Sequence, residues 1–251
     1  AKVAPGEPCP GGWTPNLWLS VDPDGTVTLP SAKSEMGQGV WTAMPMIVAE
    51  ELDADWSKVR VERAPTNGKY NTGTGGSTST RTSYMPLRKA GATARAMLVA
   101  AAAARWGVPA SECTTNASVV THGPSKRSAT YGDLASLAAG QPLPTGDVPL
   151  KDPADFRIIG KSTPRLDIPA KVDGTIQFGI DVGVKNMLVA AVARCPVFGG
   201  SLKSVDDAKA RAMDGVRQVV KLDAVERMLP ARVAVLADTT WTAMKARDAL
   251  A

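Results

Sequence analysis

The chain has 251 residues, of which 44% are apolar and 21% charged, with a net charge of +5; that is the balance of a globular protein with one large domain or two ordinary ones. Its basic residues are interleaved with acidic ones and form no block, which argues against a nucleic-acid surface. Arg95 and Arg105 interrupt the most apolar stretch, so no run reaches the roughly 18–20 residues of a membrane-spanning helix, and the Pro/Gly-rich lead Ala1–Gly12 holds no apolar stretch of the kind a signal peptide carries.

Leu17–Val21 alternates as a strand does, Asp22-Pro-Asp-Gly25 has turn chemistry, and Thr26–Lys33 resumes the strand, so Leu17–Lys33 is predicted to be a hairpin. A compact glycine turn, Glu35-Met-Gly-Gln-Gly39, precedes a helix over Val40–Leu52, with Val40, Ala43, Met44, Ile47 and Val48 on its apolar stripe. Lys58–Ala64 is the next predicted strand. A second glycine turn, Asn71–Arg81, leads into a long helix from about Met85 to Trp106, stopped by Gly107 and Pro109. Ser118–Thr121 with His122-Gly-Pro suggests a short hairpin, and Thr130-Tyr-Gly-Asp133 opens a helix with a capping box.

From Gly140 to Asp155 the composition turns to Pro, Gly and Asp without periodicity, and with the stretch to Pro169 this reads as a linker. The domain boundary is accordingly placed at 155/156. Beyond it come predicted strands Ile176–Val182 and Met187–Cys195, a helix Ser204–Met213 with a Ser204/Asp207 capping box, strands Val216–Leu222 and Arg232–Ala237, and a final helix from Thr239. Trp241–Ala251 carries no helix stop signal, so the natural chain is expected to continue. The fold class is α+β: a mixed sheet-and-helix segment over 1–155, then an α/β domain over 156–251.

The chemistry-bearing residues are few. Cys9, Cys113 and Cys195 are far apart, without C-x-x-C spacing or companion histidines, and read as isolated thiols, the latter two buried; a pairing of Cys9 with another chain stays open. His122 reads as a surface turn residue. Glu50 and Glu51 are adjacent on a helix and do not face each other, so a solvated helix end is expected. Met36, Met44, Met46 and Met97 are assigned to the core. No catalytic residue and no metal-ligand set is found.

The two glycine turns stand out because each lies between a strand and a helix N-terminus, where free N–H groups and the helix dipole favour anions. Ser77, Thr78, Ser79 and Thr80 add hydroxyl donors, Arg81 adds a charge, and Gln38 offers a donor and an acceptor suited to a heterocycle edge. Neither turn is a P-loop or a G-x-G-x-x-G motif, and a glycine-rich turn taken alone is more often only a turn.

Glu35-Met-Gly-Gln-Gly-Val-Trp-Thr42, with Ala49-Glu-Glu-Leu52 after it, resembles the molybdopterin-binding large (beta) subunits of the xanthine dehydrogenase/aldehyde oxidase superfamily, isoquinoline 1-oxidoreductase-like in pattern. Asp24–Thr28, Gly73–Arg81, Leu87–Ala92, Leu150–Pro153, Ile159–Lys161, Arg165-Leu-Asp167, Lys171–Gly174 and Cys195–Gly200 extend the resemblance over nearly the whole chain. It implies that Gly37, Gln38 and Gly39 contact a pterin, and that Gly75, Gly76, Ser77, Thr78 and Ser79 line its phosphate or dithiolene end. It implies molybdopterin with molybdenum, in the cytosine dinucleotide form, the metal held by the pterin and not by side chains. A 2Fe–2S small subunit, with a cytochrome c subunit as a further candidate, would accept electrons from oxidation of an aldehyde or N-heterocycle. The second domain would be hammerhead-like, and a periplasmic or partner-mediated membrane location would follow. The family's catalytic glutamate sits in a Gly-x-Gly-Glu segment that does not occur here. The alternative is a non-catalytic module for another anionic ligand, or an inert fragment.

Overall fold

A computed structural model describes residues 11–66, 68–197, 199–225 and 229–251; Cys9 lies outside them. The architecture is α+β, divided into two compact units, Ala1–Ile176 and Gln177–Ala251. Residues 156–176, which composition assigned to the second domain, therefore pack with the first.

In the first unit, strands β1 (Trp13–Asn16), β2 (Leu19–Val21), β3 (Val27–Ser31) and β4 (Val59–Arg63) form one sheet in chain order. The first three are antiparallel, and β4 runs parallel to β3 with Val27 opposite Val59 and Ser31 opposite Arg63. Period-two alternation explains the burial: Leu19, Val21, Val27 and Leu29 turn inward onto one core. Helix α1 (Val40–Leu52) carries the chain from β3 to β4, and α2 (Ser79–Trp106) follows β4. Both parallel strands thus send their chain into a helix from the same end of the sheet.

The α1 helix buries Val40, Met44, Ile47, Val48 and Leu52, while Ala43, expected on that stripe, is exposed. It crosses α2 at Gly91, where an added Cβ would lie 2.5 Å from the Val48 carbonyl oxygen and 2.9 Å from Glu51 Cβ. That contact brings the two helices together closely enough for Leu87, Ala94, Met97 and Leu98 to complete the core. The α2 helix starts six residues before the predicted Met85, and Pro86 lies inside it, past the first turn, where its ring removes one intrahelical N–H bond.

The predicted hairpin at Ser118 is a three-stranded meander of β5 (Cys113–Asn116), β6 (Val119–His122) and β7 (Arg127–Thr130). Helix α3 (Tyr131–Ala139) follows, with the expected Thr130/Asp133 capping box. Tyr131 is fully buried, and its hydroxyl donates to the Leu52 carbonyl at 2.6 Å. A short helix α4 (Ile168–Val172) closes the unit.

The second unit holds an antiparallel sheet in the order β8 (Val189–Arg194), β10 (Arg232–Ala237), β9 (Val216–Leu222), with helices α5 (Ala208–Arg211) and α6 (Thr240–Asp248). Its core is small: Ala210, Val219, Val233, Val235 and Ala246, with Ala191, Ala237 and Ala243 beside them. The predicted strand Ile176–Val182 does not form. Phe178, Ile180 and Val182 are exposed, and Asp181 folds back to accept the Phe178 N–H at 3.0 Å, closing a turn at Gly179–Asp181. The predicted Ser204 capping box is also absent: α5 starts after Asp207, whose carboxylate pairs with Arg211 at 2.8 Å. Helix α6 ends at Asp248 without a glycine, where Leu250 packs on the core and Ala251 pairs with Asp206 through two backbone bonds.

Candidate functional site

The two glycine loops meet. Lys33, buried two residues past β3, donates from Nζ to the Gly73 carbonyl at 2.8 Å, and the Ser34 N–H donates to Thr74 Oγ1 at 3.0 Å. Parallel pairing of β3 with β4 sets this juxtaposition, because it delivers both loops to one edge of the sheet. Ligand sites of open sheets form at such carboxyl ends of parallel strands.

In the first loop the anion expected at the α1 N-terminus is already part of the chain. Glu35 Oε1 accepts the N–H groups of Gly37 at 2.7 Å and Gly39 at 3.0 Å, and Oε2 accepts that of Trp41 at 3.0 Å. Gly37 and Gly39 have φ of 106° and 87°, a backbone region that side chains rarely adopt, and this conformation turns their amides onto the carboxylate. Burial pushes the Glu35 carboxyl up, but the N–H bonds from Trp41, Gly39 and Gly37, together with the nearby Arg165, outweigh it and hold Glu35 below its ordinary range. Gln38 bridges its own loop: Nε2 donates to the Ser34 carbonyl at 2.9 Å, and Oε1 accepts the Met36 N–H at 2.6 Å. One amide proton and one lone pair of Gln38 remain for a ligand. Met36 is 72% exposed at the loop tip and so is not core, Met46 is half-buried, and Met44 and Met97 are buried as expected.

The second loop differs. Gly75, Gly76 and Ser77 are exposed and Thr78 and Ser79 half-buried. Thr78 caps α2 without a side-chain bond, its hydroxyl donating instead to the Gly75 carbonyl at 3.1 Å. The first backbone bond of the helix runs from the Thr82 N–H to the Thr78 carbonyl, so the amides of Ser79, Thr80 and Arg81 precede it and point out of the helix end. Gly76 and Ser77 both take positive φ, but Gly75 does not, and an added Cβ there meets nothing within 4 Å. The fold itself therefore places no demand for glycine at position 75. An outward-pointing amide set, a row of hydroxyls and the cation of Arg81 make a donor set that fits an oxyanion, as the phosphate end of a pterin cofactor requires.

The end of α1 away from the loops carries charges whose setting differs from the expectation. Glu50 and Glu51 are fully buried, not solvated. Glu50 accepts Lys151 Nζ at 2.7 Å and the N–H groups of Arg157, Ile158 and Ile159 at 3.0, 2.7 and 2.9 Å. Glu51 accepts Arg88 at 2.6 Å and the Lys151 N–H at 3.1 Å. Burial raises the Glu50 carboxyl, but Lys151 and the three N–H donors override it and keep it below its ordinary value. A cue existed in the sequence: Glu51 falls three and four residues after Val48 and Ile47, on the apolar stripe. His122 is likewise buried, with Nδ1 at 2.7 Å from Ser125 Oγ and Nε2 at 2.8 Å from Glu112; it closes its own turn against the chain before β5. Cys113 and Cys195 are half-buried, and burial first, then Glu112, pushes the Cys113 thiol upward. No helix among the described residues is long and apolar enough to cross a membrane.

Comparison with known proteins gives a consistent picture. Residues 6–168 match a molybdopterin cofactor-binding domain, a span that includes both glycine loops. The chain is 39% identical to the beta subunit of isoquinoline 1-oxidoreductase from Brevundimonas diminuta, over 83% of the chain and 32% of that protein. It is 35% identical to a membrane-bound aldehyde dehydrogenase (pyrroloquinoline-quinone) of Gluconacetobacter polyoxogenes, over 97% of the chain and again 32% of the relative. A nicotinate dehydrogenase component from Pseudomonas putida is 34% identical over 81% of the chain and 18% of its own length. The chain thus spans about a third of the first two relatives.

Proposed function

The chain belongs to the molybdopterin cofactor-binding domain family, and from that premise we propose that its two joined glycine loops form one wall of the cofactor site in a longer molybdenum-dependent oxidoreductase. The observation that carries this reading is the second loop, with its uncapped helix end and hydroxyl row, held edge to edge with the first by Lys33 and Ser34. Gly37, Gln38 and Gly39 would lie along the pterin. Gln38 keeps one donor and one acceptor free for the heterocycle edge. Gly75, Gly76, Ser77, Thr78 and Ser79 would hold the phosphate end, which in a cytosine dinucleotide form carries a second phosphate for the Thr80 hydroxyl and Arg81. When bound, the cofactor supplies a two-electron redox centre; this chain binds and orients it through backbone N–H groups, and none of its residues is assigned as a catalytic acid or base.

The substrate would be an aldehyde or an N-heterocycle, the classes named by the relatives. Electrons would leave through 2Fe–2S clusters in a small partner subunit and on to a cytochrome c subunit. The second unit would serve as the hammerhead-like domain, and the complex would work in the periplasm or at the membrane through its partners.

The test is metal analysis with cofactor extraction on the full native complex, comparing wild type with Gly75→Val. Because Gly75 has ordinary φ and open space above it, this change leaves the fold intact and blocks only what approaches from outside. Roughly one molybdenum and one pterin per complex, lost in the variant, is the expected result. Folded protein from a cofactor-competent host that contains neither, or that yields a quinone instead, overturns the reading.

A further inference from the structure

We infer that Arg165 is a positioning residue for the first glycine loop, acting as the end of a strap that runs the length of α1. This rests on the reading of that loop as part of the cofactor wall. The strap begins at the C-terminal end of α1, where Lys151 reaches Glu50 and Asp53, each at 2.7 Å. The amides of residues 157–159 then bind Glu50. Farther along, the Leu166 N–H donates to the buried Thr42 Oγ1 at 3.0 Å, in the first turn of the same helix. Fastened at Glu50 and at Thr42, the chain follows about 12 Å of the 13-residue helix. Its far end therefore has a fixed position over the glycine loop.

Arg165 uses that position. Its Nε and Nη2 fork onto the buried Asp167 carboxylate at 3.0 and 2.7 Å, and Lys171 holds the same carboxylate. So oriented, Arg165 Nη1 donates to the Gly37 carbonyl at 2.8 Å, and Nη2 lies 3.2 Å from Glu35 Oε1. The planar fork of a guanidinium makes these contacts together, which a lysine cannot do. Two consequences follow for the loop. The Gly37 carbonyl is pinned directly before Gln38, so the peptide that carries Gln38 keeps one orientation. The negative charge of Glu35, which caps α1 beside a surface proposed to receive an anionic cofactor, is offset by a cation that is itself held in place.

The experiment is hydrogen exchange by mass spectrometry on the full native complex, with molybdenum and pterin content measured on the same samples, for wild type, Arg165→Ala and Arg165→Lys. In Arg165→Ala the peptide spanning residues 34–41 is expected to exchange about tenfold faster or more, with unchanged exchange over residues 47–52 and a clear fall in bound molybdenum and pterin. Arg165→Lys, which keeps the charge, is expected to recover part of both effects, and it decides the matter by the same readouts if the alanine variant does not fold. Unchanged exchange over residues 34–41, or equal acceleration over 47–52, overturns the positioning role. A wild-type complex without molybdenum and pterin instead overturns the cofactor reading, while the exchange measurement still decides whether Arg165 sets the loop.

Discussion

Replacing Glu50 by glutamine tests whether the buried carboxylate, and not merely its shape, holds the strap to α1. Both oxygens are in use: Oε1 takes Lys151 Nζ at 2.7 Å, and Oε2 takes the amides of Ile158 and Ile159 at 2.7 and 2.9 Å. Glutamine keeps the volume but turns one acceptor into an NH2 group facing donors. Either the Lys151 ammonium loses one of its two carboxylates or the amides of residues 157–159 lose their acceptor. Each hydrogen bond to a charged group contributes about 1.5–3 kcal/mol, and removing one member of a buried ion pair costs about 3–5 kcal/mol. Lys151 retains Asp53 at 2.7 Å, which places the loss near the lower end, at about 3 kcal/mol. For a unit of this size that lowers Tm by roughly 6–12 °C. The assay is calorimetric unfolding of the native chain at neutral pH, following the transition of the first unit. The acid limb adds a second check. The Glu50 carboxyl lies below its ordinary value of 4.5, so its contribution is complete above pH 4.5 and fades only as pH falls through the lower folded-state value. The gap between wild type and variant should therefore persist at about pH 5 and close below that folded-state value. A variant that melts within about 2 °C of wild type would refute the reasoning.

Gly91→Ala should destabilise the first unit by about 1–3 kcal/mol or more, because the new Cβ meets the Val48 carbonyl oxygen at 2.5 Å; a normal melting curve would show that the helix crossing relaxes freely. Tyr131→Phe leaves the buried Leu52 carbonyl without its 2.6 Å partner and should lower stability by about 1–2 kcal/mol in a denaturant titration. Glu35 is also held below its ordinary value of 4.5, so the loop stays capped above pH 4.5 and opens as pH falls through the lower folded-state value. Pepsin cleavage between residues 34 and 41 should appear on that acid side and be absent just above pH 4.5; cleavage that ignores pH would remove Glu35 from the capping role.

Much of the local structure was legible in the chain. Leu17–Lys33 pairs as a hairpin through β2 and β3, the α1 helix occupies Val40–Leu52, Thr130 and Asp133 form their capping box, and β9 and β10 span the predicted residues. These features depend on neighbours within a few positions: alternation, helical spacing, a hydroxyl three residues before a carboxylate. The errors share the opposite cause. Ile176–Val182 alternates like a strand but pairs with no strand among the described residues, and Phe178, Ile180 and Val182 stay exposed. His122 and Glu50 looked solvent-facing because their partners, Glu112 and residues 151–159, lie 10 to 109 positions away.

The candidate site divides along the same line. Sequence by itself determined that there are two glycine loops, each between a strand and a helix, and that one of them carries a row of hydroxyls. Only the tertiary structure decided that the loops touch, through Lys33 and Ser34 across 40 positions. It also decided that Glu35 fills the first helix end while the second stays uncapped, and that Arg165 closes on Gly37 from 128 positions away. The reason is physical: backbone propensity and side-chain periodicity act over a few residues, whereas a buried charge or an open amide is settled by whichever distant segment the packing brings to it.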